Sequence, residues 1–165
     1  MRPPELMLAL AVGLAAACSD SGTSGPDGSC ATGSTCTCTG GCTESCTSQC
    51  NFMCTAGASC DFSCGSGCNV GCASSAPCSD MCGSSCRETC SGGASCIYRC
   101  EGNCTYECMG GSSCSVTCGH DCHFNCTGGA KCRMKCTGNG CGMTCDQAVV
   151  FCPPAGFACR DSCPP

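Results

Sequence analysis

From Cys42 to Cys136 the cysteines of this chain hold one fixed phase. They fall at Cys42, Cys46, Cys50 and Cys54, then at Cys60, Cys64, Cys68 and Cys72, then at Cys78, Cys82, Cys86 and Cys90. The series continues at Cys96, Cys100, Cys104 and Cys108, at Cys114, Cys118, Cys122 and Cys126, and at Cys132 and Cys136. The period is 18 residues, and a sixth unit closes at Cys141 and Cys145, each displaced by one residue through an insertion in T-G-N-G, 137–140. Chance does not hold a phase through so many units, so the chain is a repeat protein in which each unit buries its inner face against its neighbours.

Each unit reads C-x-x-x-C, three residues, C-x-x-x-C, five residues. The middle residue is often bulky: Phe62 and Val70, Tyr98 and Tyr106, Val116 and Phe124, Met134 and Met143. In an extended chain, residues i, i+2 and i+4 share a face, which puts both cysteines and the bulky residue on one side. The residues between them are mostly polar and point outward. Segments rich in Gly and Ser, such as 65–67, 83–85, 91–95 and 127–131, supply turns. A helix also places i and i+4 on one face, but Gly, Ser and Thr fill the remaining positions and give poor helix propensity.

The spacing predicts an all-β or irregular fold: a disulfide-braced, flattened β-solenoid of 18-residue coils with two short strands per coil. An antiparallel meander of five-residue strands is the competing arrangement. Cysteine fills 31 of 165 positions, Trp is absent, and five Phe and two Tyr are the whole aromatic complement. An ordinary apolar core cannot form from this composition, and cross-links take over its role. The net charge of −5 gives no basic patch on the scale that nucleic acid or anionic lipid requires.

Parity narrows the bonding. The six units leave Cys30, Cys36 and Cys38 before them and Cys152, Cys159 and Cys163 after them. Pairing wholly within coils strands an odd cysteine at each end of a stack too long for the two to meet. Sequential pairing avoids this: Cys64 with Cys68 across the short turn, Cys72 with Cys78 in the next coil, and so along the chain. Its expected end links are Cys36–Cys42, Cys30–Cys38, Cys145–Cys152 and Cys159–Cys163.

The N-terminus reads as an export signal over 1–17, with Arg2 ahead of an apolar run from Leu6 to Ala17 that is too short to span a bilayer. The segment L-A-A-A-C, ending at Cys18, resembles the lipobox of bacterial lipoproteins, although Ala15 stands where Leu is preferred. The resemblance implies cleavage before Cys18, lipidation (palmitate included) of that cysteine, and attachment to a membrane. Ala15-Ala16-Ala17 also fits an ordinary cleavage site, which would give a secreted chain. Lipid on Cys18 accounts for the odd cysteine, since the remaining thirty then pair fully. The expected organisation is a signal peptide (1–17), a tether (18–29), an N-terminal cap (30–41), six repeats (42–145) and a C-terminal cap (146–165).

Two solenoid families look similar in principle. Beetle antifreeze proteins are tight disulfide-braced coils, with a shorter repeat and a regular Thr ladder that the outward series Thr43, Asp61, Ser79, Ile97, Ser115, Arg133 lacks. The repeat-in-toxin calcium roll also uses 18 residues, but its G-G-x-G-x-D signature is missing from S-G-G-A-S (91–95) and T-G-G-A-K (127–131).

Few side chains suggest chemistry. His120, Asp121 and His123 form an incomplete ligand set around a bonded Cys122, expected to be a solvated turn. Lys131, Arg133 and Lys135 alternate outward as a solvated basic face. Asp80 and Glu88 occupy both middle positions of the third coil, and Glu44 departs from the apolar pattern in the first. The plain expectation is that these layers are partly wet, the sharper one a weak cation site. No catalytic triad or phosphate loop is recognisable. The sequence therefore predicts a non-enzymatic structural or adhesive lipoprotein of the cell envelope, without cofactor, metal or nucleic-acid partner. The alternative is a Cys-rich metal-ion-binding module or a secreted binding factor.

Overall fold

A computed structural model describes residues 19–20, 29–154 and 156–160; the expected export signal over 1–17, the expected lipidation site Cys18 and Cys163 lie outside the described residues. No described residue is helical. The strands in chain order are β1 (Ser19–Asp20), β2 (Thr35–Cys38), β3 (Gly41–Ser48), β4 (Asn51–Cys54), β5 (Ser59–Ser66), β6 (Asn69–Cys72), β7 (Pro77–Ser84) and β8 (Arg87–Cys90). They continue as β9 (Ser95–Gly102), β10 (Thr105–Cys108), β11 (Ser113–His120), β12 (His123–Cys126), β13 (Lys131–Cys136), β14 (Gly142–Cys145), β15 (Val150–Cys152) and β16 (Gly156–Cys159).

The chain winds into a β-solenoid of about six stacked coils, each with one strand in either of two facing sheets. One sheet runs β1-β2-β4-β6-β8-β10-β12-β14 and the other β15-β16-β13-β11-β9-β7-β5-β3. Successive coils pair in parallel with a constant 18-residue offset, as in Cys60 with Cys78 and Cys78 with Cys96. Parallel pairing excludes the antiparallel meander for the body of the repeat. Alternation is clearest in the long strands: β9 reads exposed, buried, exposed, buried throughout, and β5 does so through its first seven residues.

The two strands of a coil are unequal. The expected two strands per coil are present, but β5, β7, β9 and β11 have eight residues and their partners β6, β8, β10 and β12 have four. Residues expected to turn, such as Gly65–Ser66 and Gly83–Ser84, are still strand. One residue suffices to reverse the chain when it adopts the left-handed conformation. Gln49, Gly67, Ser85, Asn103 and Asp121, spaced by the period, all have φ between 52° and 65°. Their N–H groups donate to the next coil (Ser85 N to Gly102 O at 3.0 Å, Asn103 N to His120 O at 3.0 Å), so inter-coil bonding continues around the corner.

The wide corner follows its own rule. Ala58, Ala76, Ala94 and Ala130 point inward and are at most 1% exposed, and Ser112 takes the same place in the fifth coil. Each follows a left-handed residue (Gly57, Ser75, Gly93, Gly111 or Gly129) that swings the chain back toward the core. Ser112 meets the requirement of a buried hydroxyl by donating to the Met109 carbonyl at 2.8 Å.

Two ladders of bridges run along the corners. Across the tight corner Cys46–Cys50, Cys64–Cys68, Cys82–Cys86, Cys100–Cys104, Cys118–Cys122 and Cys136–Cys141 are bonded. Across the wide corner Cys54–Cys60, Cys72–Cys78, Cys90–Cys96, Cys108–Cys114 and Cys126–Cys132 lead each coil into the next.

The ends differ from the expected links. Cys38 bonds Cys42 and Cys30 bonds Cys36, in place of Cys36–Cys42 and Cys30–Cys38. The reason is register: Cys38 lies beside Cys54, and therefore plays the part of Cys54 in a partial preceding coil. Cys36 then falls beside Phe52 at a middle position and closes back to Cys30. At the other end Cys145 bonds Cys159, in place of the expected Cys145–Cys152 and Cys159–Cys163, because β16 returns antiparallel along β13 and carries Cys159 opposite Cys132. Cys152 is disulfide-bonded as well. Ser19–Asp20, assigned to the tether from sequence, pairs antiparallel with Cys36–Thr37.

Candidate functional site

The interior is a single file of side-chain layers between the two ladders. Phe52 stacks on Phe62 at 4.6 Å, Tyr98 on Tyr106 at 5.9 Å, and Tyr106 meets Phe124 edge-on at 5.8 Å. The third layer breaks this file. Asp80 on β7 lies in register between Phe62 and Tyr98, and Glu88 on β8 lies between Val70 and Tyr106.

The expectation of a partly wet layer fails. Asp80 is 2% and Glu88 0% exposed, because the flanking strands and the Cys72–Cys78 and Cys82–Cys86 bridges seal the layer on both corners. None of the four carboxyl oxygens has a hydrogen-bond partner of ordinary geometry, and neither has the Tyr106 hydroxyl. The Tyr98 hydroxyl is engaged, donating to the Thr89 carbonyl at 3.2 Å. Arg87, next to Glu88 in the chain, points outward and pairs with Glu107. The pair therefore has no internal counter-charge from that side.

Burial dominates the titration of this layer. It pushes the Asp80 carboxyl up to about 7, against the lowering effect of hydrogen bonds to the Glu88 carboxyl and the Met81 backbone, with the negative charge of Asp61 adding slightly to the rise. Burial and then the charge of Asp80 hold Glu88 well above the usual carboxylate range. The Tyr98 and Tyr106 hydroxyls are raised too, first by burial and then by the two carboxylates beside them. An unshielded pair of carboxylates in a dry core is unstable as such; it needs protons or a cation.

Glu44 is also buried, at 6%, in register with Phe62 near the N-terminal end of the stack. The other candidates lie on the surface. His120 Nδ1 and Asp121 Oδ2 are 3.0 Å apart with both side chains more than half exposed, while His123 starts β12 in the opposite sheet. Lys131, Arg133 and Lys135 share the outer face of β13, with Arg133 half-buried. Several clusters of three cysteine sulfurs within 4.8 Å have a spacing that could hold a metal ion. Those sulfurs are bonded in the two ladders and offer no thiolate.

The outer face of the long-strand sheet carries a shallow groove lined by Ser63, Gly65, Met81, Gly83, Arg99 and Glu101 among others. The cysteine spacing by itself does not reveal the inward alanines at the wide corner. Their signal is present nonetheless: Ala58, Ala76, Ala94 and Ala130 keep the same period.

No protein-family model, no curated protein and no solved structure matches the chain. Every described cysteine is oxidised, which belongs to an oxidising extracellular or cell-surface location.

Proposed function

We propose that this chain is a cell-envelope lipoprotein, anchored through lipid on Cys18, whose solenoid serves as a non-enzymatic structural or adhesive element. The observation that carries the reading is the commitment of the repeat to covalent shape. Each coil spends its cysteines on a tight-corner bridge and a bridge to the next coil, and its outer faces carry mostly small polar side chains with scattered charges and a few exposed apolar ones, Met53, Met81 and Ile97. Stacked at about 4.8 Å per coil, six coils make a stiff rod roughly 30 Å long. L-A-A-A-C supports the anchor, and a short polar segment separates it from the first bridge.

Intact mass of the membrane-extracted protein tests this. A chain beginning at Cys18 and carrying added acyl mass is the expected result. A chain beginning at Cys18 or nearby with no acyl mass, recovered from the medium, supports the secreted-factor reading instead.

A further inference from the structure

We propose that Asp80, Glu88 and the Tyr106 hydroxyl form an internal site for a single calcium ion in the third coil. The two carboxyls replace apolar filling at both middle positions of one layer, while the layers on either side hold Phe62 with Val70 and Tyr98 with Tyr106. Together they present four buried oxygens that meet one another and, at Asp80, the Met81 backbone, with no side-chain donor to satisfy them. The Tyr106 hydroxyl, from the next layer and on a residue 0% exposed, is a fifth. It is an independent member of the set, and its neighbour Tyr98 is already engaged with Thr89.

The chemistry selects the ion. All five atoms are oxygens, which suits a hard cation, and the flanking sulfurs are tied up in bridges. Zinc favours imidazole and thiolate, and neither is offered here. Two carboxylates are neutralised by one divalent ion. Magnesium keeps several waters in a strict octahedron, whereas calcium accepts bidentate carboxylates in irregular geometry. Asp and Glu are also smaller than the two tyrosines of the next layer, so this layer carries less side-chain volume than its neighbour. Because both carboxyls are sealed from solvent, the ion is captured as the coils close and exchanges slowly afterwards.

The test uses the oxidised full-length protein at pH 8, with calcium, magnesium or a chelator present during refolding. Calcium content after gel filtration is expected at one ion per chain. Calcium well above its dissociation constant is expected to raise the melting temperature by roughly 5 °C or more, and magnesium is not. The double variant Asp80→Phe with Glu88→Val copies the second layer and is expected to fold, bind no calcium and show no calcium response. Asp80→Asn serves the same purpose if the double variant does not fold. Calcium content near zero with no shift in melting overturns the site and leaves the pair carrying protons. A calcium response that persists in the variants overturns it equally.

Discussion

Phe52 and Phe62 come from adjacent coils and opposite sheets, yet their rings stack at 4.6 Å with an interplanar angle of 13°. In a core one side chain deep, a lost ring has no second shell to fill its space. Phe52→Ala is expected to cost about 3–5 kcal/mol in a denaturant melt of the oxidised protein. The same burial acts in the opposite sense at Asp80. Its folded-state carboxyl sits at about 7, above the ordinary range, so the fold favours the protonated acid. In calcium-free buffer that contribution is complete below about pH 4 and is lost as pH rises through 7. Melting temperatures from pH 4 to 8 are expected to fall, with Glu88, Asp61, Tyr98 and Tyr106 as the ionisable groups that face Asp80 or act on it. A flat profile in the double variant and a falling one in the wild-type chain locate the effect in this layer.

At the scale of the coil, the tight corner depends on one left-handed residue. Gly67 meets the requirement without strain, whereas Ser85 and Asn103 adopt it with a Cβ. Gly67→Val is expected to lose about 1–2 kcal/mol, a penalty that Ser85→Gly does not incur, when both are compared by chemical denaturation. The period and the inward face of each strand were legible because Cys, Phe62 and Cys repeat at i, i+2 and i+4. Unequal strand lengths were not, since Gly65 and Ser66 read as turn material by composition while the sheet holds them by bonding to neighbouring coils. The end bridges were misphased for a related reason. C-T-C at 36–38 offers two cysteines for one ladder position, and only the pairing of β2 with β4 decides that Cys38 takes it. The dryness of the Asp80–Glu88 layer depends on how closely the sheets approach, which alternation alone does not report.

Over the whole molecule, stability is spread along the stack instead of being concentrated in a centre. Each coil touches its neighbours through two parallel strands and at least one bridge, so the solenoid behaves as a one-dimensional array. Removing the Cys100–Cys104 bridge by a double Cys→Ser change is expected to loosen the fourth coil. Hydrogen exchange should rise in β9 and β10 and in adjoining strands, while the distant coils remain protected. Full reduction is a different matter, because the thin apolar file cannot hold the chain once both ladders open; loss of β-sheet signal in circular dichroism is the expected result. If cysteine serves shape, free-thiol titration of the protein under denaturing, non-reducing conditions finds almost no reactive thiol. Many free thiols accompanied by stoichiometric zinc are the opposite result and rule that role out.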